Sequence, residues 1–438
     1  MIKEPAAPRF ARAAVFFGVF LPFALGHYLA SLLRNVNAVL APSLLSTLSL
    51  DAADLGLLTS TFFFAFVVAQ LPIAAALERY GPYKVQVALL VVAAFGVLLF
   101  ANGQNFGQLL VARGVIGFGV GGTLMIGVKA VSARVARERL PSLHGYMIAV
   151  GGLGAASATL PVRMVLGYTD WRGLFIGLAV LVACIALVTW LVRPRAPLAD
   201  AGVNTPRPPT ALSLLAVWQN RDFRKTITLV LVPHTIFWGM QGFWIGRWLT
   251  DVARFPEGAV TYLLYLGMAA VIFGAIGVGI VTEWAGRRGI VPHDVAAIGV
   301  SAFMLVQFAF VLNYAPSFQM LAVLFTLVGT IAGIEYSIVA QSVPRELAGH
   351  ASSCLNMLIF LGAFLVQAGF GLVLSLWEPD FLGRYPAVAY QAGFGVLVLL
   401  QLPGLLSYLR QRRPAICAVD MLALEEDEFE VSTLGSAR

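Results

Sequence analysis

Apolar runs of about 20 residues recur along the whole chain, and this is the length of helix that crosses a lipid bilayer. The sequence is 59% hydrophobic and only 12% charged, which is far more apolar than a soluble domain of this length. Runs of this kind form helices in lipid, because a helix satisfies all its backbone hydrogen bonds internally. The sequence therefore predicts an all-α membrane protein with twelve transmembrane helices. The predicted segments lie at about residues 14–45, 54–77, 84–102, 106–130, 142–166, 172–192, 226–249, 259–282, 293–313, 317–342, 350–376 and 386–409.

Basic residues are concentrated in alternate loops between these segments. They include Lys3, Arg9, Arg12, Arg79, Lys84, Arg134, Arg137, Arg139, Arg193, Arg195, Arg221, Arg224, Lys225, Arg288, Arg410 and Arg412. Because cytoplasmic loops carry the excess of Lys and Arg, both termini are expected in the cytoplasm, with the protein in the cell inner membrane. The net charge of +7 thus reflects membrane topology and does not predict nucleic-acid binding. Segment 1 is too long for the core of a signal peptide, and we expect it to be retained.

Two stretches interrupt the apolar pattern. Residues 193–223 are rich in Pro and Arg and are expected to form a cytoplasmic linker. The linker separates an N-terminal six-helix bundle, residues 1–192, from a C-terminal six-helix bundle, residues 224–411. Residues 412–438 are polar and acidic, and such a composition favours a solvated cytoplasmic tail.

The two halves carry related motifs at corresponding places. Segment 2 is followed by Ala74-x-x-x-Glu78-Arg79-Tyr80-Gly81, and segment 8 by Gly279-x-x-x-Glu283-Trp284-Ala285-Gly286-Arg287-Arg288. Gly117 and Gly121 of segment 4 likewise correspond to Gly329 and Gly333 of segment 10. A six-helix unit that occurs twice around a central linker predicts a transporter built from two parallel halves.

The loop after segment 2 has a physical role that can be derived from its residues. Glu78 ends a helix near basic residues, where it can accept charge-assisted hydrogen bonds that latch the two halves together on one side. Gly81 permits the tight turn. The alternative is that these charges only make the loop soluble.

The chain resembles the major facilitator superfamily over residues 10–412. The signature loop of that family is G-x-x-x-D-[RK]-x-G-[RK]-[RK], of which Arg79 and Gly81 are kept and Glu78 replaces the Asp. Segment 4 carries Arg113-x-x-x-Gly117-x-Gly119, which is similar to the family's R-x-x-x-G-x-G motif. The resemblance implies two pseudo-symmetric six-helix bundles around a midplane cavity that opens alternately to each side. It also implies gating roles for Glu78, Arg79, Gly81, Glu283, Gly286 and Arg287.

Arg34 lies deep in segment 1, where a charge costs about 3 kcal/mol or more. His27, Ser31, Arg34 and Asn37 recur at helical spacing, which places them on one face of the helix. We therefore expect these four residues to line the cavity and bind substrate. The alternative is that Arg34 only pairs with a carboxylate, and Glu335 is the one deep candidate in the sequence.

Segment 1 resembles the organic-phosphate and organic-anion branches of the superfamily, in which a first-segment Arg followed by a Pro binds the substrate anion. Arg34 precedes Pro42 at a similar spacing, and Asp54-Leu55-Gly56 opens the next segment. A guanidinium matches a carboxylate or phosphate with two parallel hydrogen bonds. The phosphate carriers place a second Arg deep in segment 7, which is absent here, so a singly charged or mixed polar-aromatic substrate fits better than phosphate.

Segment 7 carries His234, Trp238 and Gln241 at helical spacing. Trp238 and Gln241 are predicted to shape the substrate site. Trp244 and Trp248 are interpreted as anchors at the membrane interface, with stacking on a substrate as the alternative. Glu335 and His234 are the predicted carriers of a coupling proton, although Glu335 can instead pair within the C-terminal half. Arg113 is a further candidate for the proton path, or else it bonds neighbouring backbone.

Several function classes lack their sequence signals. No Walker loop is present, so ATP does not drive the protein directly, and no cofactor or metal is expected. Segment 5 lacks the G-x-x-x-G-P element of the family's drug antiporters, and segment 1 carries no acidic residue to attract a cationic drug. An enzyme would be predicted by a paired nucleophile and base, and the sequence shows none.

We predict a monomeric secondary active transporter in the lipid bilayer that takes up a small organic anion together with protons. Export of a drug or metabolite stays open, because direction cannot be read from residues. A non-transporting sensor is the alternative from another class, and a tail of this length is too short to fold as a sensory domain.

Overall fold

The computed structural model describes residues 16–48, 50–132, 140–193, 211–335, 338–339, 342–343 and 348–410. This part of the chain is helical, with no strand among the described residues. The N-terminal half consists of α1 (Phe16–Phe20, Leu21–Asn35 and Asn37–Leu48), α2 (Ala52–Tyr80), α3 (Pro82–Ala101), α4 (Phe106–Val120 and Thr123–Ser132), α5 (Leu140–Ser157 and Leu160–Val165) and α6 (Trp171–Leu191).

The C-terminal half repeats this arrangement. It consists of α7 (Arg221–Gly239, Met240–Trp244 and Ile245–Asp251), α8 (Glu257–Gly286), α9 (Pro292–Leu312), α10 (Ala315–Ser317, Phe318–Gly329 and Thr330–Ile334), α11 (Ala348–Leu374) and α12 (Ala387–Arg410). In the described part of the chain, nine helices are long and apolar enough to cross a membrane on that basis alone. α5 and α10 include the shorter apolar helices Ala149–Val165 and Ala315–Gly329, and with α7 the described helices are consistent with the twelve predicted segments.

Four of the helices are irregular near the middle of the bundle. α1 breaks at Val36, α4 breaks at Gly121, and α7 contains a π-helical turn over Met240–Trp244. α10 tightens to a 3-10 helix over Thr330–Ile334. Irregular backbone at membrane depth is tolerated where protein or a cavity surrounds it, and π turns often mark functional positions. The breaks in α1, α7 and α10 lie next to polar residues of the candidate site.

The Arg113–Gly117–Gly119 motif of α4 holds the N-terminal half together. Arg113 donates to the carbonyls of Leu33 and Arg34, at 2.7 Å and 2.9 Å, where α1 breaks. A Cβ on Gly117 would lie 2.5 Å from a backbone oxygen of α2, and one on Gly119 would lie 2.5 Å from a backbone nitrogen of α3. Since real side chains do not tolerate such distances, these glycines permit α4 to approach α2 and α3 closely.

The two halves join mainly along α2 and α11. We call the end of the bundle with the α2–α3 and α8–α9 turns the linker face, and the end with the α1–α2, α7–α8 and α11–α12 turns the far face. Phe63 and Phe66 pack on Phe360, and a hydrogen bond links Ala52 N–H to the Tyr385 hydroxyl at 3.1 Å. These contacts extend from the middle of the bundle to the far face.

A second contact between the halves joins α5 to α8 near the far face, where Arg163 forms an ion pair with Glu257. Both side chains are about half exposed. An exposed pair of this kind contributes little to stability, so the packing of α2 on α11 is the stronger connection.

The signature loops lie on the linker face. Glu78 and Arg79 are exposed, and the Glu78 side chain forms no hydrogen bond or ion pair with another residue that the structure describes. Glu283 pairs with Arg287 one turn away on its own helix, at 2.6 Å. The predicted latch between the halves is therefore not formed by these residues in this structure, and Arg134, Arg137 and Arg139 lie outside the described residues.

The two turns on the linker face differ in which glycine shapes them. Gly81 has a φ of +75°, as its place in the α2–α3 turn predicts. In the second copy the residue with positive φ is Gly289, whereas Gly286 still belongs to α8. Gly286 therefore does not form the turn that its predicted gating role requires.

The predicted linker contains a helix of its own, Ala211–Gln219, which packs on α7 and α11. Its Val217 is fully buried among apolar residues of the C-terminal half, including Phe223 and Leu355. The apolar residues in this stretch were overlooked beside the prolines that precede them. The predicted acidic tail at 412–438 lies outside the described residues.

Candidate functional site

A small polar cavity lies between the two halves near the middle of the bundle. Its volume is about 10 Å³, roughly the space of one water molecule. It is lined by residues of α1, α2, α7 and α11, namely Arg34, Asn35, Asn37, Thr59, Phe63, Trp238, Gly242 and Gln367. Because both halves contribute, any movement of one half against the other changes the shape of this cavity.

Arg34 reaches across the cavity from α1 to α7. Its guanidinium carbon lies 4.4 Å from the centre of the Trp238 ring. Its Nε is buried without a hydrogen-bond partner, and Arg34 forms no ion pair, as far as the described residues extend. A cation–π contact is worth about 2 kcal/mol when desolvated, which leaves most of the cost of burying the charge uncompensated. The structure thus gives no support to the alternative that Arg34 pairs with a carboxylate.

Asn37 presents an unused amide to the same cavity. The residue is only 1% exposed, and neither its nitrogen nor its oxygen has a partner within the described ranges. Asn35, by contrast, donates to the carbonyl of Ser31 at 2.8 Å. A buried amide without partners costs about 1–3 kcal/mol, so Asn37 is an exception that calls for a functional explanation.

Thr59 and Gln367 form a hydrogen bond between the halves beside Arg34. The Gln367 amide donates to the Thr59 hydroxyl at 2.7 Å, and that hydroxyl donates to the Leu55 carbonyl at 2.7 Å. Both residues are buried. Sequence reasoning missed this pair, although a lone Gln inside the apolar run of segment 11 was a signal that could have found it.

Glu335 and His234 form a buried pair inside the C-terminal half. The Nδ1 atom of His234 contacts Oε1 of Glu335, and both side chains are buried. Trp238 donates its indole N–H to Nε2 of His234 at 2.8 Å. Since an indole nitrogen can only donate, Nε2 is the acceptor and the imidazole proton is on Nδ1. His234 is therefore neutral and donates to Glu335 in this arrangement.

These contacts form a continuous chain from Glu335, the residue that follows α10, to α1. Glu335 contacts His234, His234 accepts from Trp238, and the Trp238 ring lies under Arg34. Glu335 Oε2 is buried without a partner among the described residues. The predicted carriers of the proton and the predicted anion ligand are thus connected through one side chain.

Three other predicted site residues lie outside this cavity. His27 and Ser31 face α5, where a Cβ on Gly151 would lie 2.4 Å from His27 Nε2 and 3.2 Å from Ser31 Oγ. Gln241 points to α8 and donates weakly to the Met268 sulfur at 3.3 Å. The π turn of α7 adds a residue to that turn, which brings Gly242 to the cavity in the place predicted for Gln241.

Arg113 and the two outer tryptophans also differ from their predicted places. The terminal nitrogens of Arg113 bind α1 carbonyls and its guanidinium lies 4.9 Å from the Phe62 ring centre, so its contacts are with α1 and α2 and not with Glu335. Trp244 and Trp248 are each 1% exposed. They pack in the protein core and are not interface anchors.

A second cluster of buried charge lies at the far face of the C-terminal half. Arg247 pairs with Asp251 one turn away at 2.9 Å and also donates to the Gly383 carbonyl. Asp251 accepts in addition from the Tyr390 hydroxyl at 2.8 Å and from the backbone N–H of Tyr385. These bonds tie the end of α7 to the α11–α12 loop.

Residues 23–367 match the sequence family described as Major Facilitator Superfamily. This match covers well over half of the chain. The chain belongs to the major facilitator superfamily. It is thus a multi-pass membrane transporter and not an enzyme, and its described helices have the fold that the family membership implies.

Individual relatives are distant. The chain is 28% identical to the probable L-galactonate transporter of Escherichia coli over 60% of its own length and 61% of that protein. It is 22% identical to the glucose transporter GlcP of Staphylococcus epidermidis over 87% and 84% of the two lengths. It shares its fold with an inward-facing, unoccupied bacterial homologue of the human lysosomal transporter Spinster, with a TM-score of 0.76, 16% identity, and 93% and 98% of the two chains covered.

Proposed function

We propose that this superfamily transporter carries a small organic anion with a carboxylate group, by alternating access around the cavity between its halves. The observation that carries the proposal is Arg34, a half-buried arginine whose buried Nε has no partner among the described residues. A carboxylate would supply the missing acceptor through two parallel hydrogen bonds. The probable L-galactonate transporter, one of its relatives, is named for a cargo of this chemistry.

The surroundings of Arg34 support a ligand that also has hydroxyl groups or a ring. Asn37 offers a free amide, and Gln367 has an Oε1 without a partner in the described part of the chain. Phe63 and Trp238 add apolar surface to the cavity wall. In this proposal Arg34 binds the carboxylate, Asn37 and Gln367 bind polar groups, and Trp238 supports both Arg34 and the substrate.

We further propose that uptake is coupled to protons through Glu335 and His234. The pair is buried next to the cavity. It can exist with or without an additional proton, as carboxyl and imidazole groups in proton relays do. A neutral imidazole beside a carboxyl is a common arrangement for accepting and releasing protons. His27 and Ser31 then belong to helix packing at α5.

A neutral sugar is a second candidate substrate. It is favoured by the similarity to the glucose transporter GlcP and by the two amides that line the cavity without a full set of partners. A sugar would leave the Arg34 charge without a counter-charge, however. Discrimination between an acid and a neutral sugar of the same size therefore tests the role of Arg34 directly.

We place the linker face and both termini in the cytoplasm of a cell whose inner membrane holds the protein as a monomer, from the distribution of its basic residues. The contacts between the halves run from the middle of the bundle to the far face, which supports an arrangement open toward the linker face. In that topology we assign this conformation to a cytoplasm-facing step of the cycle. Accessibility of single cysteines on either face of inverted and right-side-out vesicles tests this placement.

The test of the substrate uses purified protein and four probes: L-galactonate, 4-hydroxybenzoate, glucose and inorganic phosphate. We expect a thermal shift and saturable uptake into proteoliposomes with one of the two carboxylates and not with glucose or phosphate. Uptake should rise when the outside is made more acidic. Arg34→Lys and Arg34→Ala should both lose uptake, because a lysine cannot reproduce the planar pair of donors.

Arg410→Lys serves as the matched control, since Arg410 is exposed at the end of α12 and has no role in the proposed site. It should transport as the wild type does. Transport by Arg34→Ala at the wild-type rate would contradict the assignment of Arg34 as the anion ligand. Stabilisation by glucose alone would favour a neutral sugar as the substrate.

A further inference from the structure

We propose that Trp238 is a positioning residue that couples the anion site to the proton site. The inference rests on the proposed function, which needs both sites. Its indole N–H holds His234 in the neutral state, and its ring holds the guanidinium of Arg34, so one side chain makes both contacts. Neither site can change its state without affecting Trp238.

The hydrogen bond from Trp238 determines where a proton can go on His234. With Nε2 as acceptor at 2.8 Å, the lone pair that would take a proton is occupied by the indole N–H. When a proton binds Nε2, a new N–H bond forms and the imidazole becomes an imidazolium. Two N–H groups then face each other, and the Trp238 hydrogen bond must break.

The imidazolium keeps its other proton on Nδ1, where it faces Glu335. An ionised Glu335 then compensates the new charge, so the pair as a whole becomes neutral when the proton arrives. This step involves no oxidation or reduction, and the only species gained is the proton from solvent.

Movement of Trp238 away from His234 changes the surroundings of Arg34. The ring under the guanidinium shifts, and the cation–π contact at 4.4 Å is weakened. Arg34 then lacks both a counter-charge and its aromatic support, so its affinity for a carboxylate rises. By reciprocity, a bound carboxylate that draws Arg34 from the ring favours protonation of His234.

Few other charged groups approach this chain of contacts in the described part of the protein. Glu335 of α10 and Arg34 of α1 are the charged neighbours, and α11 brings the uncharged Phe360 ring to 5.9 Å from Trp238. On α9 and α12, Asp294 and Tyr408 bind each other near the linker face. The remaining charges of α7 on that side are in its first turns, namely Arg221, Asp222, Arg224 and Lys225.

The test compares the pH dependence of acid binding in wild type and Trp238→Phe. Phenylalanine keeps an aromatic ring for Arg34 but lacks the N–H donor. The probe is whichever of L-galactonate and 4-hydroxybenzoate binds the wild type more tightly. For one coupled proton, the wild-type Kd should fall by up to about tenfold for each unit by which the pH is lowered through the titration of the pair.

In Trp238→Phe the acid should still bind, and its Kd should change by less than about twofold over the same range, because protonation no longer disturbs Arg34. Glu335→Gln should lose the pH dependence as well. Trp248→Phe is the matched control, since Trp248 is equally aromatic, lies on the same helix and packs against Phe310 and Phe318 in the core. It should keep the wild-type pH profile.

A second measurement uses the wild-type protein and does not depend on acid binding. In protein labelled with ¹⁵N at its tryptophans, the Trp238 indole resonance, assigned from its absence in Trp238→Phe or Trp238→Tyr, should move as the pH is lowered. The same resonance should not move in Glu335→Gln or His234→Gln.

The outcomes separate the two proposals. A Trp238→Phe protein that binds the acid with the wild-type pH dependence would overturn the coupling role while leaving the transporter function intact. A wild type that binds neither acid would overturn the proposed function. In that case the pH response of the indole resonance would by itself test whether Trp238 responds to protonation of His234. An indole resonance that does not respond to pH would overturn the coupling in either case.

Discussion

The surroundings of Arg34 and Arg247 show what distinguishes a functional buried charge from a structural one. Both arginines lie on helices next to the interface between the halves, and both carry buried donors. Arg247 has a carboxylate at 2.9 Å and a backbone carbonyl as partners. Arg34 has only the face of Trp238, and its Nε has no acceptor among the described residues. The first site is complete without a ligand, whereas the second becomes complete when an anion binds.

The largest expected effect of substitution is at Arg34, and it concerns transport rather than stability. Arg34→Met should lower uptake of the acid roughly 100-fold or more, since a buried charge pair loses one partner. The thermal midpoint in detergent should stay the same or rise, because an uncompensated charge is removed from the core. A marked loss of thermal stability would mean that Arg34 is structural after all.

Arg247→Met should show the reverse behaviour. It leaves the buried Asp251 carboxylate without its charged partner, which costs about 3–5 kcal/mol of stability. Thermal unfolding and yield of monodisperse protein report this loss. The double variant Arg247→Met with Asp251→Leu should recover most of the stability, and equal damage in the single and double variants would contradict the pairing.

Tyr385→Phe should have a smaller, conformational effect. The Tyr385 hydroxyl accepts from Ala52 N–H at 3.1 Å, so it joins the Arg247 cluster to the start of α2 in the other half. Loss of one such bond is worth about 1 kcal/mol, or roughly a fivefold shift toward an opened far face. Distances between spin labels at Tyr168→Cys and Phe381→Cys, which are both 94% exposed, measure that population.

For that measurement the native cysteines are replaced by serine, and Tyr314→Phe, an exposed tyrosine in the α9–α10 turn, is the control. If Tyr385→Phe left the label distances unchanged, the hydroxyl would not contribute to closure of the far face.

The smallest expected effect is a local pH dependence in the α11–α12 loop. Hydrogen bonds from the backbone N–H groups of Arg384 and Leu382 lower the pKa of Asp380 below its usual value. A group with a lowered pKa stabilises the folded loop above its unfolded pKa of about 3.9, and this contribution is lost as the pH falls through the lower, folded value. The protection of the Leu382 and Arg384 amides against hydrogen exchange should therefore decrease below about pH 4.

In Asp380→Asn the same loss of protection should be present at neutral pH, where the wild type is still protected. The same exchange rates in both proteins at pH 7 would show that the carboxylate does not order the loop.

Some features of the fold follow from the sequence because they depend on local composition. Twelve apolar segments, the division into two halves and the Arg113–Gly117–Gly119 motif could be found without coordinates, since helix length and hydropathy are properties of short stretches. Family membership followed from the same residues. The linker helix Ala211–Gln219 was missed because its apolar residues are few and follow a Pro-rich stretch.

The candidate site was only partly predictable. Arg34, Asn37 and Trp238 were found by helical spacing, and the structure brings them to one cavity. Gln241 was placed there by the same reasoning, but a π turn breaks the α-helical period at this point. Thr59 and Gln367 meet through packing of α2 on α11, which no local pattern encodes.

By itself, the sequence determined that the chain lies in a membrane, that it is built from two related halves and that a cation is buried in the first helix. Only the tertiary structure decided which buried charges have partners. It paired Arg247 with Asp251, Arg113 with the α1 backbone and His234 with Glu335, and it left Arg34 on the face of Trp238. The physical reason is that hydropathy is a property of each segment, whereas satisfaction of a buried charge depends on distances between helices.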